Sequence, residues 1–150
     1  MKALLEKIQQ KLSEITDLKY IDENWGQLYY YSPNMPVQFP CALIDVQQVQ
    51  FSNLGRDMSK KPVQRQIGQV SIKITIANMR LSNSSMQAPR RQKEEVWAIW
   101  GIIEKIHQQL HGVSLLPNVS ALIRSLQSRT LRDDGVQEYE VYYSCEVQNC

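Results

Sequence analysis

The chain is poor in histidine, glycine and cysteine, and it has no long apolar run. Its 150 residues include two histidines, six glycines and three cysteines. The glycines, at 26, 55, 68, 101, 112 and 135, stand singly, which excludes a phosphate-cradling loop and a dinucleotide fingerprint. A Gly-x-Ser-x-Gly nucleophile elbow is also missing. No stretch approaches the roughly 18–20 apolar residues that cross a bilayer, so no membrane partner is expected. Met1 to Leu5 opens like an export signal, but Glu6 and Lys7 interrupt it at once. Cys41, Cys145 and Cys150 leave at least one thiol unpaired, and without an export signal all three are expected to be free. Neither sign of charge dominates. Seventeen Lys and Arg against fifteen Asp and Glu give +2, too balanced for a dedicated nucleic-acid binder.

What remains is ordinary globular material, 43% hydrophobic and 21% charged. The length suits one domain over 1–150, large enough to bury on the order of two-thirds of its unfolded surface.

Leu5, Ile8, Leu12 and Ile15 recur at helical spacing and predict a first helix ending near Thr16 or Asp17. Leu18 to Asp22 reads as a short extended segment. Asn24 to Pro40 is rich in aromatics and turns, with prolines at 33, 36 and 40 that exclude a helix or a central strand. A strand is expected through Leu28 to Tyr31. The simplest reading of Tyr29, Tyr30 and Tyr31 is packing at a sheet edge, and the functional one is a contact surface.

Cys41 to Phe51 reads as a strand in which Ala42, Ile44 and Val46 are in phase while Val49 and Phe51 are one residue out. Such a slip predicts a β-bulge near Gln47-Gln48. Asn53 to Pro62 reads as a long polar connection. Gln66 to Met79 then alternates, with Val70, Ile72, Ile74 and Ile76 facing one way, as in an antiparallel sheet with one dry face. Ser84 and Gln87 have capping-box spacing, and Pro89 is tolerable only in a first turn, so the second helix is expected to start near Met86. Val96, Ile99, Trp100, Ile103, Ile106 and Leu110 form its stripe, and Gly112 is a natural stop.

Val119, Leu122, Ile123 and Leu126 allow a helical turn before the last hairpin. There Arg124 to Arg132 and Val136 to Val147 flank a two-residue Asp134-Gly135 turn. That turn pairs Leu126 with Tyr143 and Arg129 with Glu140. The dry face of the last strand is Tyr139, Val141, Tyr143, Cys145 and Val147. The sum is an α+β two-layer sandwich, one mostly antiparallel sheet of four or five strands with two helices on one face.

His107 and His111 lie four apart on one helix face, with Glu104 a turn earlier. A zinc site needs a third and usually a fourth ligand, and no residue points to one. The plain reading is two polar residues near a helix end, where a cation suits the dipole. Cys41 and Cys145 sit within strands, where a buried thiol behaves as a small apolar group. No catalytic residue, cofactor or metal is expected. Arg56, Lys60, Lys61 and Arg65 gather on the connection between the long strands against Asp57 alone. They suit phosphate or an acidic protein surface, or form a solvated loop. Seventeen glutamines, several near this hairpin, let a sheet meet another protein without burying charge.

The order of elements resembles the tail terminator, or tail completion, proteins of long-tailed bacteriophages and prophages. The residues concerned are the helix Leu4 to Ile15, then Tyr20-Ile21-Asp22, Trp25-Gly26-Gln27-Leu28 and the proline-led run Phe39-Pro40-Cys41-Ala42-Leu43-Ile44-Asp45. The long hairpin, the Val96 to Leu110 helix and the closing pair around Asp134-Gly135 follow in the same order. The resemblance implies an architectural virion protein in the tail or neck, assembled in the bacterial cytoplasm. It would form a ring with copies of itself, typically a hexamer, on the tail tube protein, and offer a surface to the head connector or stopper. DNA would pass through the lumen without sequence-specific binding. Arg56, Lys60, Lys61, Arg65 and Tyr29 to Tyr31 are the candidate interface residues. Another neck component, a small DNA-binding domain using the basic hairpin and the tyrosines, and an enzyme using Cys145 or the histidine pair are the alternatives.

Overall fold

A computed structural model describes residues 1–30, 34–80 and 84–148. Tyr31, Pro33, Asn83 and Cys150, which figure in the sequence reading, lie outside the described residues. The elements are α1 (Lys2–Ser13), β1 (Tyr20–Glu23), a short 3₁₀ turn (Gln27–Tyr29), β2 (Cys41–Arg56), β3 (Gln64–Met79), α2 (Arg90–Leu110), β4 (Ile123–Thr130) and β5 (Val136–Gln148). The strands form one sheet in the order β1-β2-β3-β5-β4, antiparallel except for β1 beside β2. The expected α+β architecture is present.

Both helices cover one face. Leu4, Ile8 and Leu12 of α1 and Ile99, Ile103, Ile106 and Leu110 of α2 pack on Ile44, Ile72, Ile74, Ile76, Val141 and Tyr143. Strand alternation produces this, because residues two apart share a face. Leu4 rather than Leu5 is fully buried, and α1 stops at Ser13, earlier than the spacing of Ile15 predicts. The predicted single dry face needs correction. Leu28, Cys41, Leu43, Ala77 and Val136 form a second, smaller core on the opposite face, under the segment that carries Met35, Val37 and Phe39. Cys41 to Ile44 is therefore buried on both sides.

The predicted bulge is present, with a register shift between Val46 and Gln48. It keeps Val49 on the side of the helices. The polar connection is shorter than expected, because β2 runs on to Arg56 and β3 begins at Gln64, with a second bulge between Asn53 and Gly55.

α2 starts at Arg90, four residues after the expected Met86. Pro89 is its N-cap and no side chain caps it, so Ser84 and Gln87 form no capping box; Ser85 instead closes a separate turn with Ala88. A proline that must lead the helix outweighs a capping pattern placed before it. Trp100, expected in the buried stripe, is 45% exposed, and Ile102 takes its place inside. Residues 113–121 form no helix; turns and isolated bridges, His111 with Leu122 and Val119 with Val147, lead the chain into β4.

The last hairpin is out of the expected register by one. Leu126 faces Tyr142 and Arg129 faces Tyr139, while Ser128 meets Glu140. The expected two-residue turn is absent: a five-residue connection, 131–135, folds the Arg132 side chain inward, and a bulge between Arg124 and Leu126 shifts the register by one more.

Candidate assembly surfaces

The basic residues meet at the tip of the β2–β3 hairpin. Gly55 faces Arg65 and Arg56 faces Gln64 across the two strands, and Lys60 and Lys61 are exposed in the loop. Asp57 builds that loop. Its N–H donates to the Val63 oxygen (2.8 Å), and its carboxylate accepts from the Ser59 N–H (3.0 Å) and hydroxyl (2.6 Å). These Ser59 bonds, with Lys60 and Arg65 near, hold the Asp57 carboxyl below its ordinary range. Gly55 has φ +119°, a conformation that side-chain-bearing residues rarely adopt. Arg65 is half-buried and donates to the Pro62 oxygen at 3.2 Å. The tip is thus a shaped cationic end. Since β5 pairs with β3 only from Ile67 onward, residues 53–66 project as a two-stranded ribbon.

The tyrosines lie at the other end of the sheet. The chain through 24–30 is a turn, not the expected strand from Leu28. Gln27, fully buried, organises it. Its Nε2 donates to the Glu23 oxygen (2.8 Å) and its Oε1 accepts from the Trp25 N–H (2.9 Å). Asp22 assists, accepting from the Tyr20 hydroxyl at 2.8 Å and the Glu23 N–H at 2.8 Å. Burial pushes the Asp22 carboxyl up, but the bonds from Tyr20, Glu23, Trp25 and Gln27 outweigh it and leave the carboxyl below its ordinary value. The result holds Trp25, Tyr29 and Tyr30 outward at 55%, 81% and 52% exposure. Sheet-edge packing is therefore the wrong reading of Tyr29 and Tyr30. Tyr29 lines an open depression with Thr130, Leu131, Arg132 and Asp133 beside the β4–β5 turn. A strand as long as β2, on the order of 50 Å, separates this knob from the basic tip, so the structure does not bring the two candidate groups together.

A third surface was not singled out in the sequence. β4 is exposed along its whole length. Beside it Trp100, Ile103, Glu104, His107, Arg124 and Gln127 line an open groove of about 360 Å³. Trp100 packs against Tyr139 with ring centres 4.8 Å apart and planes tilted by 59°, and the Arg129 guanidinium lies 5.6 Å from the Tyr139 ring centre. Trp97, one turn earlier, is 52% exposed. The available signal is Trp97 and Trp100 at i, i+3, of which the predicted buried stripe takes in Trp100 alone.

His107 and His111 stack with ring centres 4.4 Å apart. His107 is half-buried with Nδ1 3.5 Å from the Tyr143 hydroxyl, and His111 Nδ1 accepts the Arg124 N–H at 3.1 Å. Desolvation, then the charges of Arg124 and His111, push His107 below its ordinary value. His111 is thus occupied in seating the start of β4. Burial drives the Cys41 thiol up to about 12 and the Cys145 thiol up to about 11, the opposite of an activated nucleophile. Among the described residues, no three His, Cys, Asp or Glu side chains are grouped to hold a metal ion, and no helix is long and apolar enough to cross a membrane.

No protein-family profile matches the chain, and no curated protein matches it. Among solved structures its fold is similar to a chain in the structure titled "Virion of native gene transfer agent (GTA) particle". The match has a TM-score of 0.55 at 7% identity and covers 97% of this chain and 95% of that one.

Proposed function

We propose that this chain is a structural protein of a phage-like virion. In this reading it forms a ring of its own copies, typically six, on the head-proximal end of the tail tube. The ring ends tube growth and offers the surface on which the head connector or stopper docks. The observation that carries this is the end-to-end likeness in fold to a chain of a gene transfer agent virion, over 97% of one chain and 95% of the other. The element order, which resembles that of tail terminator proteins, narrows the role within the particle. The surfaces suit it: a projecting cationic tip, an aromatic knob and an open sheet edge are means of contact. The role is architectural, with no reaction and no cofactor. The buried, poorly acidic thiols of Cys41 and Cys145 are in keeping with that. DNA passes through the lumen, and the basic tip meets protein rather than DNA, because a channel that releases DNA should not grip its phosphates.

Light scattering on a sizing column, with negative-stain images, tests the ring. Incubation with growing tail tubes tests the cap. Closed rings that bind one tube end and stop elongation are expected. Binding to purified connectors but never to tubes would place the protein elsewhere in the neck, and binding to neither would remove the reading.

A further inference from the structure

Two long strand edges of this chain are left open. On the far side of β2, β1 covers only Cys41 to Ile44, and the Asn24 N–H closes on the Ile44 oxygen. Above that point no described strand pairs with β2 on that side. At the other end of the sheet β5 is the one described strand that pairs with β4, and all eight β4 residues are exposed; His111 closes the outer side only at its start, by accepting the Arg124 N–H. Natural sheets blunt such edges with charge, proline or bulges. Here 46–55, VQQVQFSNLG, has no charge and no proline and is interrupted only by its two bulges, and β4, IRSLQSRT, has no proline and carries Arg124 and Arg129 as its charges.

We propose that copies of this chain join head to tail, the outer edge of β4 in one copy pairing with the open edge of β2, residues 46–53, in the next. The inference rests on the ring reading above and specifies how the ring is closed.

Strand polarity fits. β4 is antiparallel to β5, β5 to β3 and β3 to β2, so β4 runs opposite to β2. Two copies side by side in one orientation therefore present these edges antiparallel, the more stable pairing. The faces fit too. The bulge at Gln47 turns Val49 toward the helix side, and Phe51, two residues on, follows it. Phe51 is 57% exposed and lies over Gly68, the residue opposite it, where an added Cβ would come within 3.2 Å of its ring. A neighbour's β4 brings its groove, lined by Trp100, Ile103 and His107, to that same side, and Phe51 fills it. No like charges meet, because the arginines of β4 face an uncharged strand.

The registers also set the slide. Thr130 lies level with Glu138, Ala77 and Cys41, so β4 must rise about five residues, roughly 17 Å, to clear β1. Four strand spacings of about 4.8 Å separate one copy from the next, which tilts the strands by about 40°, within the range of closed sheets. A heterologous contact of this kind, repeated with a closing rotation, makes a ring.

Two edge-blocked variants test this. One carries Leu126→Lys and Gln127→Lys on β4, the other Gln50→Lys and Ser52→Lys on β2; all four positions are exposed, and thermal melts check that both fold. Sedimentation of each variant alone should give a monomer. The equimolar mixture should give a pair of twice the monomer mass, since each variant keeps the edge the other needs. If wild type forms rings but the mixture stays apart, the pairing is wrong and the ring stands. If the β2-blocked variant dimerises alone, the contact is a two-fold β4–β4 one and the proposal falls. Pairing in the mixture with open filaments from wild type would keep the contact and sink the ring. No association in any sample would remove both.

Discussion

Arg132 donates a hydrogen bond to the main-chain oxygen of Leu28, a residue 104 positions earlier in the chain. The same guanidinium reaches Asp134 at 2.6 Å and Glu138 at 3.1 Å, and its side chain is only 9% exposed. One cation thereby ties the aromatic turn to the β4–β5 connection and pairs with two carboxylates at the end of the sheet. The bond from Arg132, with Asp134's own link to the Val136 N–H, outweighs burial and keeps the Asp134 carboxyl low.

Removing that cation should leave both carboxylates enclosed without their partner. Arg132→Met is expected to cost about 3 kcal/mol in urea unfolding, because a broken buried ion pair strands the remaining charge. Adding Asp134→Asn and Glu138→Gln should recover much of the loss. A triple variant no more stable than the single would show that Arg132 acts through packing instead.

The basic tip is separable from the fold. Arg56→Glu, Lys60→Glu and Lys61→Glu change exposed residues beyond the reach of β5 and should shift stability by about 0.5 kcal/mol or less per site. Capture of the partner structure, tube or connector, should be lost in the triple variant and should weaken with salt in the wild type. Unaltered capture by the charge-reversed protein would assign the tip to solvent.

His107 makes stability sensitive to mild acid. Its folded value lies below the ordinary 6.5, through desolvation first and the neighbouring charges second. The unfolded chain then takes up the proton more readily. The contribution is complete above about 6.5, and it falls as pH drops through the folded value. His107→Asn should flatten the melting temperature between pH 7 and 5 relative to wild type. Parallel curves for the two proteins would assign the slope to other groups.

Much of the frame was legible because it obeys simple periods. The alternation from Val70 to Ile76, the slip at Gln47 and the run Tyr139 to Val147 each report the face under the helices. What escaped depended on single polar residues that alternation does not see. Gln27 is as buried as any leucine and turns a supposed strand into a 3₁₀ turn, and Arg132 folds inward to shift a register that the Asp134-Gly135 pair seemed to decide. Pro89 carried its usual meaning, but the capping pattern ahead of it drew the helix start too early. The basic group was legible as a cluster because all four residues fall within ten positions around one turn. Its separation from the tyrosines, and the groove beside Trp100, needed the sheet order, which no local pattern contains.

The ten uncharged residues from Val46 to Gly55 bear on how the protein behaves before it meets any partner. Glutamine and β-branched or aromatic side chains with open backbone amides are the makings of disordered stacking into fibrils. Only the bulges at Gln47 and near Leu54 break the straight run of this segment. Those two irregularities act as built-in solubility controls. A shortened strand that lost the extra residue at Gln47 would gain regularity and, in concentrated solution, precipitate sooner.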